Sequence, residues 1–289
     1  MHSMCYARSP LFVHDGIPVF SVSDAYTENY ECIAADHLGH LDQFGTNPFI
    51  AEDLWVQMED STASLVSEYA KQGDMILDVG VGMGRLLGRF PELQRYGMDI
   101  SMEYLRHASD RGIEVCYSLI EDMPYTNGQF DIVVCTDVLE HVLDLNVACA
   151  KILSVVRDDG VVIVRTPYRE DLSGYLAPAF PYAYAHLRTF DESSLQLQFS
   201  RIFGCEFLEV CTAGYCATGR RLKYPIPFPK GAAILSQLLT RTRSLFPRSL
   251  YAAIIRQLFS PIEVNAVFRK NSSANAIVAR FIERGRIVA

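Results

Sequence analysis

The chain has 289 residues, 49% hydrophobic and 21% charged, a balance that supports a sizeable core in one large domain or one domain with an appendage. Its formal charge of -8 argues against a molecule built to coat nucleic acid. No stretch reaches the ~18 uninterrupted apolar residues of a membrane span, the opening MHSMCYARSP lacks a basic-then-apolar leader, and the eight cysteines form no CxxC pair. A cytoplasmic protein with reduced, mostly buried thiols is therefore expected.

Residues 1–49, with Pro10, Pro18 and Pro48, read as irregular. From about Ile50 to Lys71, Leu54, Trp55, Met58, Leu65, Val66 and Tyr69 recur at helical spacing, and Gly73 ends the run. The rhythm then shifts. MILDVG (75–80), YGMDI (96–100), IEVCYSL (113–119), FDIVVCTD (130–137) and GVVIVRTP (160–167) are short runs rich in β-branched residues and bounded by Gly, Asp or Pro, the marks of strands. A helical face of Leu145, Ala148, Cys149, Ile152 and Val156 separates the last two. A helix over Glu192–Phe203, a strand over Glu206–Thr212 and the strand EVNAVFRK (263–270) bring the count to about seven strands. Strands alternating with helices imply a doubly wound, largely parallel α/β sheet.

Val210 to Ile262 breaks the pattern. It contains no Asp or Glu but carries Arg220, Arg221, Lys223, Lys230, Arg241, Arg243, Arg248 and Arg256. Two apolar helical stripes lie within it, Ile234/Leu235/Leu238/Leu239 and Leu250/Tyr251/Ile254/Ile255/Leu258/Phe259. Residues 221–260 are read either as a peripheral membrane surface or as lid or homodimer helices packed on the core. No basic and aromatic stacking platform for nucleic acid is evident.

The stretch LDVGVGMGRLL (77–87) carries the chemistry. Asp78-Val79-Gly80 ends a strand, and a helix is expected to start near Gly84. Glycines between them permit positive φ and a close ligand approach, and the new helix would aim unpaired N–H groups at the same spot. A nucleotide-like ligand suits that edge of the sheet. Asp99, closing the second strand, can accept both hydroxyls of a ribose. Gly80, Gly82 and Gly84 run GxGxG, with Arg85 where the dinucleotide fingerprint GxGxxG places its last glycine, which disfavours a nicotinamide-dependent oxidoreductase.

The DxGxGxG pattern is similar to motif I of class I S-adenosylmethionine-dependent methyltransferases. YGMDIS resembles their second motif, and IEDMPYTNGQFDIVVCTDVLEHV the stretch that follows, so the resemblance covers roughly 200 residues. It implies a Rossmann-like seven-stranded sheet with the last strand antiparallel. An N-terminal helical cap (1–72), a cofactor-binding core (73–213), a basic helical insertion (214–261) and a final strand with tail (262–289) would complete the chain. It also implies S-adenosylmethionine held by Asp78, Gly80, Gly82, Gly84, Asp99 and Ile100, with Ile120 and Glu121 at the adenine and Thr136 and Leu139 at the methionine end. The family often has an Asp where this chain has Leu119, so Glu121 or a backbone group would serve the adenine amine.

The implied function is methyl transfer to a hydroxyl of a small-molecule, glycan or lipid-linked acceptor, or else to an amine nitrogen. A non-catalytic cofactor-binding partner is a further alternative. The loops after strands four and five hold the candidate chemistry. His186 and His141 are candidate bases, and Tyr168, Tyr182, Tyr184 and Arg188 candidate acceptor contacts, with Tyr175 in the same tyrosine-rich loop. The arrangement resembles the ubiquinone-biosynthesis O-methyltransferases and small-RNA 2′-O-methyltransferases. By that resemblance Asp137, Glu140, His141 and His186 would hold Mg²⁺ beside the acceptor. Packing and capping at the helix start is the other reading of Glu140 and His141.

Overall fold

The computed structural model describes residues 5–217, 221–224 and 231–287. Its strands are β1 (Phe12–His14), β2 (Ile17–Val19), β3 (Met75–Val79), β4 (Gln94–Asp99), β5 (Glu114–Tyr117), β6 (Phe130–Thr136), β7 (Val156–Pro167), β8 (Glu206–Ala213) and β9 (Glu263–Arg269). They form one sheet in the order β1-β2-β5-β4-β3-β6-β7-β9-β8. Strands β3 to β7 run parallel, and β9 lies antiparallel between β7 and β8. The seven expected strands are therefore present. The additional pair is the β1–β2 hairpin, which joins the sheet where Val19 partners Tyr117.

Period-two alternation sorts each strand between two cores. Leu77, Val79, Met98, Val133, Cys135, Val162 and Val164 face one side, against α4 (Leu145–Val155) and α8 (Ser272–Ile287). Ile76, Val115, Ile132, Val134, Ile163 and Val267 face the other, against α2 (Glu52–Tyr69) and α3 (Met102–Asp110). Both faces are covered, so the strands are apolar almost throughout. Five of the eight cysteines are buried.

Two local expectations fail. The described part of 1–49 is not irregular throughout: α1 (Ala25–Phe44) is a helix of 20 residues, opened by an Asp24/Thr27 capping box and closed by Gly45 in the left-handed region. It escapes notice because it covers a cavity rather than a core. Tyr26, Tyr30, Ile33 and His37 face that cavity at i, i+4, i+7 and i+11, and this mixed stripe carries little hydrophobic signal. Nor does an α-helix follow the glycine turn, where only a short 3₁₀ segment, Leu87–Arg89, forms. No helix dipole therefore aims at the turn from that side.

The helix expected over 192–203 begins as α5 (Glu192–Gln196) and continues as a π-helical turn, Leu197–Ile202. The basic segment between β8 and β9 contains α6 (Gly231–Thr242) and α7 (Arg248–Leu258). Arg220 and Lys230 lie outside the described residues. Among the described residues, no helix is long and apolar enough to cross a membrane.

Candidate active site

The glycine turn sits at the carboxyl end of β3. Gly80 and Val81 both donate their amides to the Met98 carbonyl, at 2.9 and 3.0 Å, which folds the turn back over β4. The three glycines differ in purpose. At Gly80 (φ +79°) an added Cβ would meet Val138 Cγ2 at 2.3 Å. Gly84 packs against the Ala108 backbone and Ile113, while nothing lies within 4 Å of a Cβ placed at Gly82. Gly82 borders a cavity of 620 Å³, so its bare backbone is the surface a ligand can approach.

Asp99 ties the turn to the end of β4. One carboxylate oxygen accepts from the Gly82 amide at 2.8 Å, and the other from the amides of Ile100 and Ser101 at 2.8 and 2.9 Å. Burial raises its pKa to about 6 despite those three donors. Beside it Ser118, Leu119, Ile120 and Glu121 form one cavity wall. Burial also raises Glu121.

Deeper lies a cluster of acids around one cation. Asp78 is buried, its Oδ1 has no protein partner, and burial raises its pKa to about 8. Glu140 and Glu263 are buried with oxygens likewise unpartnered, and burial pushes both well above the usual carboxylate range. Arg165 is the buried counter-charge. It pairs with Asp137, whose φ of +57° turns the chain there, and donates to Thr62 Oγ1 at 3.1 Å. Thr62 donates in turn to Asn265 Oδ1 at 2.8 Å. Several unpartnered carboxylate oxygens facing one cavity favour a cationic occupant.

The cavity's outer part is held by loop 168–190 and α1. His186 Nδ1 is hydrogen-bonded to Glu170, and Tyr175 donates its hydroxyl to Glu170 at 2.7 Å. Burial raises Glu170, but the His186 hydrogen bond and charge outweigh it, so its pKa falls overall. An ionised carboxylate can only accept, so His186 donates to it through Nδ1, and a neutral His186 would have Nε2 available to accept. His141 lies edge-on to His186, ring centroids 4.5 Å apart, and its Nδ1 is 3.0 Å from the Tyr30 hydroxyl. Burial, then the His186 charge, lower the His141 pKa to about 3, which keeps that ring neutral. Asn29 on α1 exchanges two hydrogen bonds with the Tyr184 backbone, and Tyr182 donates to Asp36 at 2.8 Å, so α1 braces the tyrosine-rich loop.

Residues 77–164 match the family model described as a methyltransferase domain. Over those residues the chain is similar to that family. Two curated relatives align with this part. One is a tRNA (carboxymethyluridine(34)-5-O)-methyltransferase of Arabidopsis thaliana, 32% identical over 34% of this chain and 25% of that protein. The other is a ubiquinone biosynthesis O-methyltransferase of Aeromonas salmonicida, 33% identical over 32% and 43%. The aligned stretch thus spans less than half of either relative. Among solved structures, magnesium protoporphyrin IX methyltransferase from Synechocystis PCC 6803, with bound SAH, shares the fold at a TM-score of 0.53 and 13% identity, over 85% of this chain and 98% of that one.

Most expected site residues converge on the cavity. Asp78, Gly80, Gly82, Asp99, Ile100, Ile120, Glu121 and Thr136 line the cavity, with His141, His186, Tyr182 and Tyr184 further out. Four do not. Gly84 supports α3, as above. Leu139 is fully buried in the core beneath the turn after β6. Tyr168 lies outside the cavity, where its carbonyl accepts from Arg221 at 2.9 Å. Arg188 is a clamp rather than an acceptor contact: its guanidinium donates to the carbonyls of Leu139, Val142 and Leu143. Of the four candidate metal ligands, Glu140, His141 and His186 offer ligand atoms all within 4.8 Å of one another, while Asp137 is engaged by Arg165.

Sequence reasoning missed Tyr26, Tyr30 and His37 on α1, and also Glu170, Arg165 and Glu263. Burial of a charged residue at a strand end is hard to foresee, but Glu170, three residues beyond β7, was within reach as a carboxylate at the active edge. Trp55 and Arg85 also line the cavity. The Arg85 guanidinium lies 3.8 Å from the Trp55 ring centroid and pairs with Glu59 at 2.8 Å, so the residue replacing the third fingerprint glycine fastens the turn to α2.

Proposed function

We propose that the protein transfers the methyl group of S-adenosylmethionine to a hydroxyl oxygen of a small-molecule, glycan or lipid-linked acceptor. The observation that carries this reading is a single cavity that joins the Gly82 backbone and Asp99 at one end to the Glu170–His186 pair at the other. When bound, S-adenosylmethionine supplies a sulfonium methyl activated for in-line attack. Asp99 would hold the ribose hydroxyls with the lone pairs its backbone donors leave free. Gly82 would lie against the cofactor without a side chain intervening. The carboxylates of Asp78, Glu140 and Glu263 favour its cationic methionine end, and their unpartnered oxygens are the fit that supports this occupant.

At the acceptor end, His186 Nε2 takes the hydroxyl proton while Glu170 fixes the ring and stabilises the imidazolium. His141, held neutral, serves as wall and hydrogen-bond partner rather than as the principal base. Tyr175, Tyr182 and Tyr184 give the acceptor an aromatic surface. The α1 cap narrows access and excludes water, which strengthens these electrostatic contacts.

The test is production of S-adenosylhomocysteine by the purified protein with a panel of hydroxylated and aminated acceptors. Hydroxyl acceptors should turn over, and His186→Ala should abolish turnover while S-adenosylhomocysteine still binds. Turnover with amines alone, undiminished in His186→Ala, would replace the reading by N-methylation, since an amine needs no strong base. Tight cofactor binding without turnover would leave a non-catalytic partner.

A second reading of the acceptor end rests on the closeness of Glu140, His141 and His186. Those residues would hold a divalent cation such as Mg²⁺, which would lower the acceptor hydroxyl's pKa. Unchanged turnover after EDTA dialysis would remove it.

A further inference from the structure

We propose that the α6–α7 segment docks on the surface of an anionic lipid bilayer. The orientation of α6 is the first observation. Its buried position is Ser236, whose hydroxyl turns back to the Ala232 carbonyl at 2.9 Å, while Leu235 and Leu239 are only half-buried. Ile234 and Leu238, one helical turn apart, point outward at 64% and 57% exposure. Continuing along the chain, Leu245 is 75% exposed, Phe246 38% and Leu250 49%. Five large apolar side chains within 17 residues of sequence are thus left in water. A helix packed only for stability would put its leucines inward and its serine out. The neighbouring α7 does pack, burying Ile255 and Phe259, and so anchors the pair to the domain.

Charge identifies the occupant. The apolar row is interleaved with exposed Arg241 and Arg243, and no Asp or Glu occurs from Val210 to Ile262 although the whole chain carries -8. Arg243 meets Asp53 at 3.6 Å, an exposed and weak pair that leaves its cation largely effective. Apolar side chains flanked by arginines match the headgroup and acyl boundary of an anionic leaflet. A second copy is the poorer occupant, because a two-fold interface would set two acid-free cationic faces against each other. The acidic remainder of the molecule would be repelled by the same leaflet, which fixes the orientation.

The surface borders the cavity entrance. Arg243 reaches Asp53 at the start of α2, and Phe49, 57% exposed just before that helix, lines the cavity together with Trp55. An acceptor embedded in the leaflet would therefore meet the cavity without crossing open water. That last step rests on the methyl-transfer reading; the docking itself does not.

Co-sedimentation tests it, using the full chain with phosphatidylcholine vesicles with and without phosphatidylglycerol. The wild type should pellet with the anionic vesicles, less with neutral ones, and less as salt is raised. Leu238→Glu/Leu245→Glu should lower partitioning about a hundred-fold, and Arg241→Gln about five-fold. Both variants change exposed side chains, so circular dichroism and S-adenosylhomocysteine affinity should match the wild type. Failure of the wild type to pellet at low salt overturns the proposal, as does pelleting that ignores these substitutions. A concentration-dependent dimer dissolved by the leucine substitutions would assign the face to a second copy instead.

Discussion

Gly80→Ala tests the active-site architecture without any acceptor. Two costs arise there. The φ of +79° is unfavourable for an L side chain, by about 1–2 kcal/mol. The new Cβ would also fall 2.3 Å from Val138 Cγ2, an overlap that must move the turn after β6. Overpacking of this kind costs about 1–3 kcal/mol. The sum, about 2–5 kcal/mol, should appear in urea denaturation as a lower midpoint with an unchanged slope. Val138→Ala removes the offending Cγ2 and leaves a Cβ at an ordinary 3.7 Å. Alone it should cost about 1 kcal/mol, since Val138 is only half-buried. The double variant should then be about 1–3 kcal/mol more stable than the sum of the single changes implies, with the backbone cost remaining. Additivity within about 0.5 kcal/mol would refute the close approach of the two loops.

Other consequences concern the charged groups. Asp99 must be ionised to accept two hydroxyls, and its pKa in the free protein lies near 6. Affinity for S-adenosylhomocysteine should therefore be flat above that pH and fall up to ten-fold per unit below it; calorimetry giving a constant affinity across the range would contradict the ribose role. Glu170→Gln removes the carboxylate that fixes the His186 tautomer. It should lower kcat about 100-fold or more, shift the acidic limb of the pH–rate profile and spare cofactor affinity, whereas a purely structural Glu170 would alter stability and leave the profile in place. Arg165→Met leaves Asp137 without its buried counter-charge and should destabilise the fold by about 3–5 kcal/mol in chemical denaturation. A cost below 1 kcal/mol would refute Arg165 as the counter-charge of the acid cluster.

The central strands were legible because they are buried on both faces and bounded by a breaker, as in Asp78-Val79-Gly80 or Thr166-Pro167. The cofactor end was legible for a related reason: Gly82 and Asp99 act through local backbone geometry, which spacing alone encodes. What the sequence hid was set by tertiary placement. The stripe Tyr26, Tyr30, Ile33 and His37 serves a cavity, so its helix lacks the apolar face that periodicity seeks. Arg188 and His186 sit two residues apart in one loop, yet the first clamps carbonyls and the second faces the cavity. Glu170 gains its importance only because the loop folds it back onto His186. The apolar stripe of α6 was visible, but its outward turn was not, since periodicity locates a face without saying what covers it.

The central claim is that the glycine turn and Asp99 form a seat for S-adenosylmethionine. Isothermal titration of the full chain with S-adenosylhomocysteine measures this directly. The account requires saturable one-to-one binding that Asp99→Ala weakens by a hundred-fold or more, and it is contradicted if the folded protein gives no binding heat with either form of the cofactor.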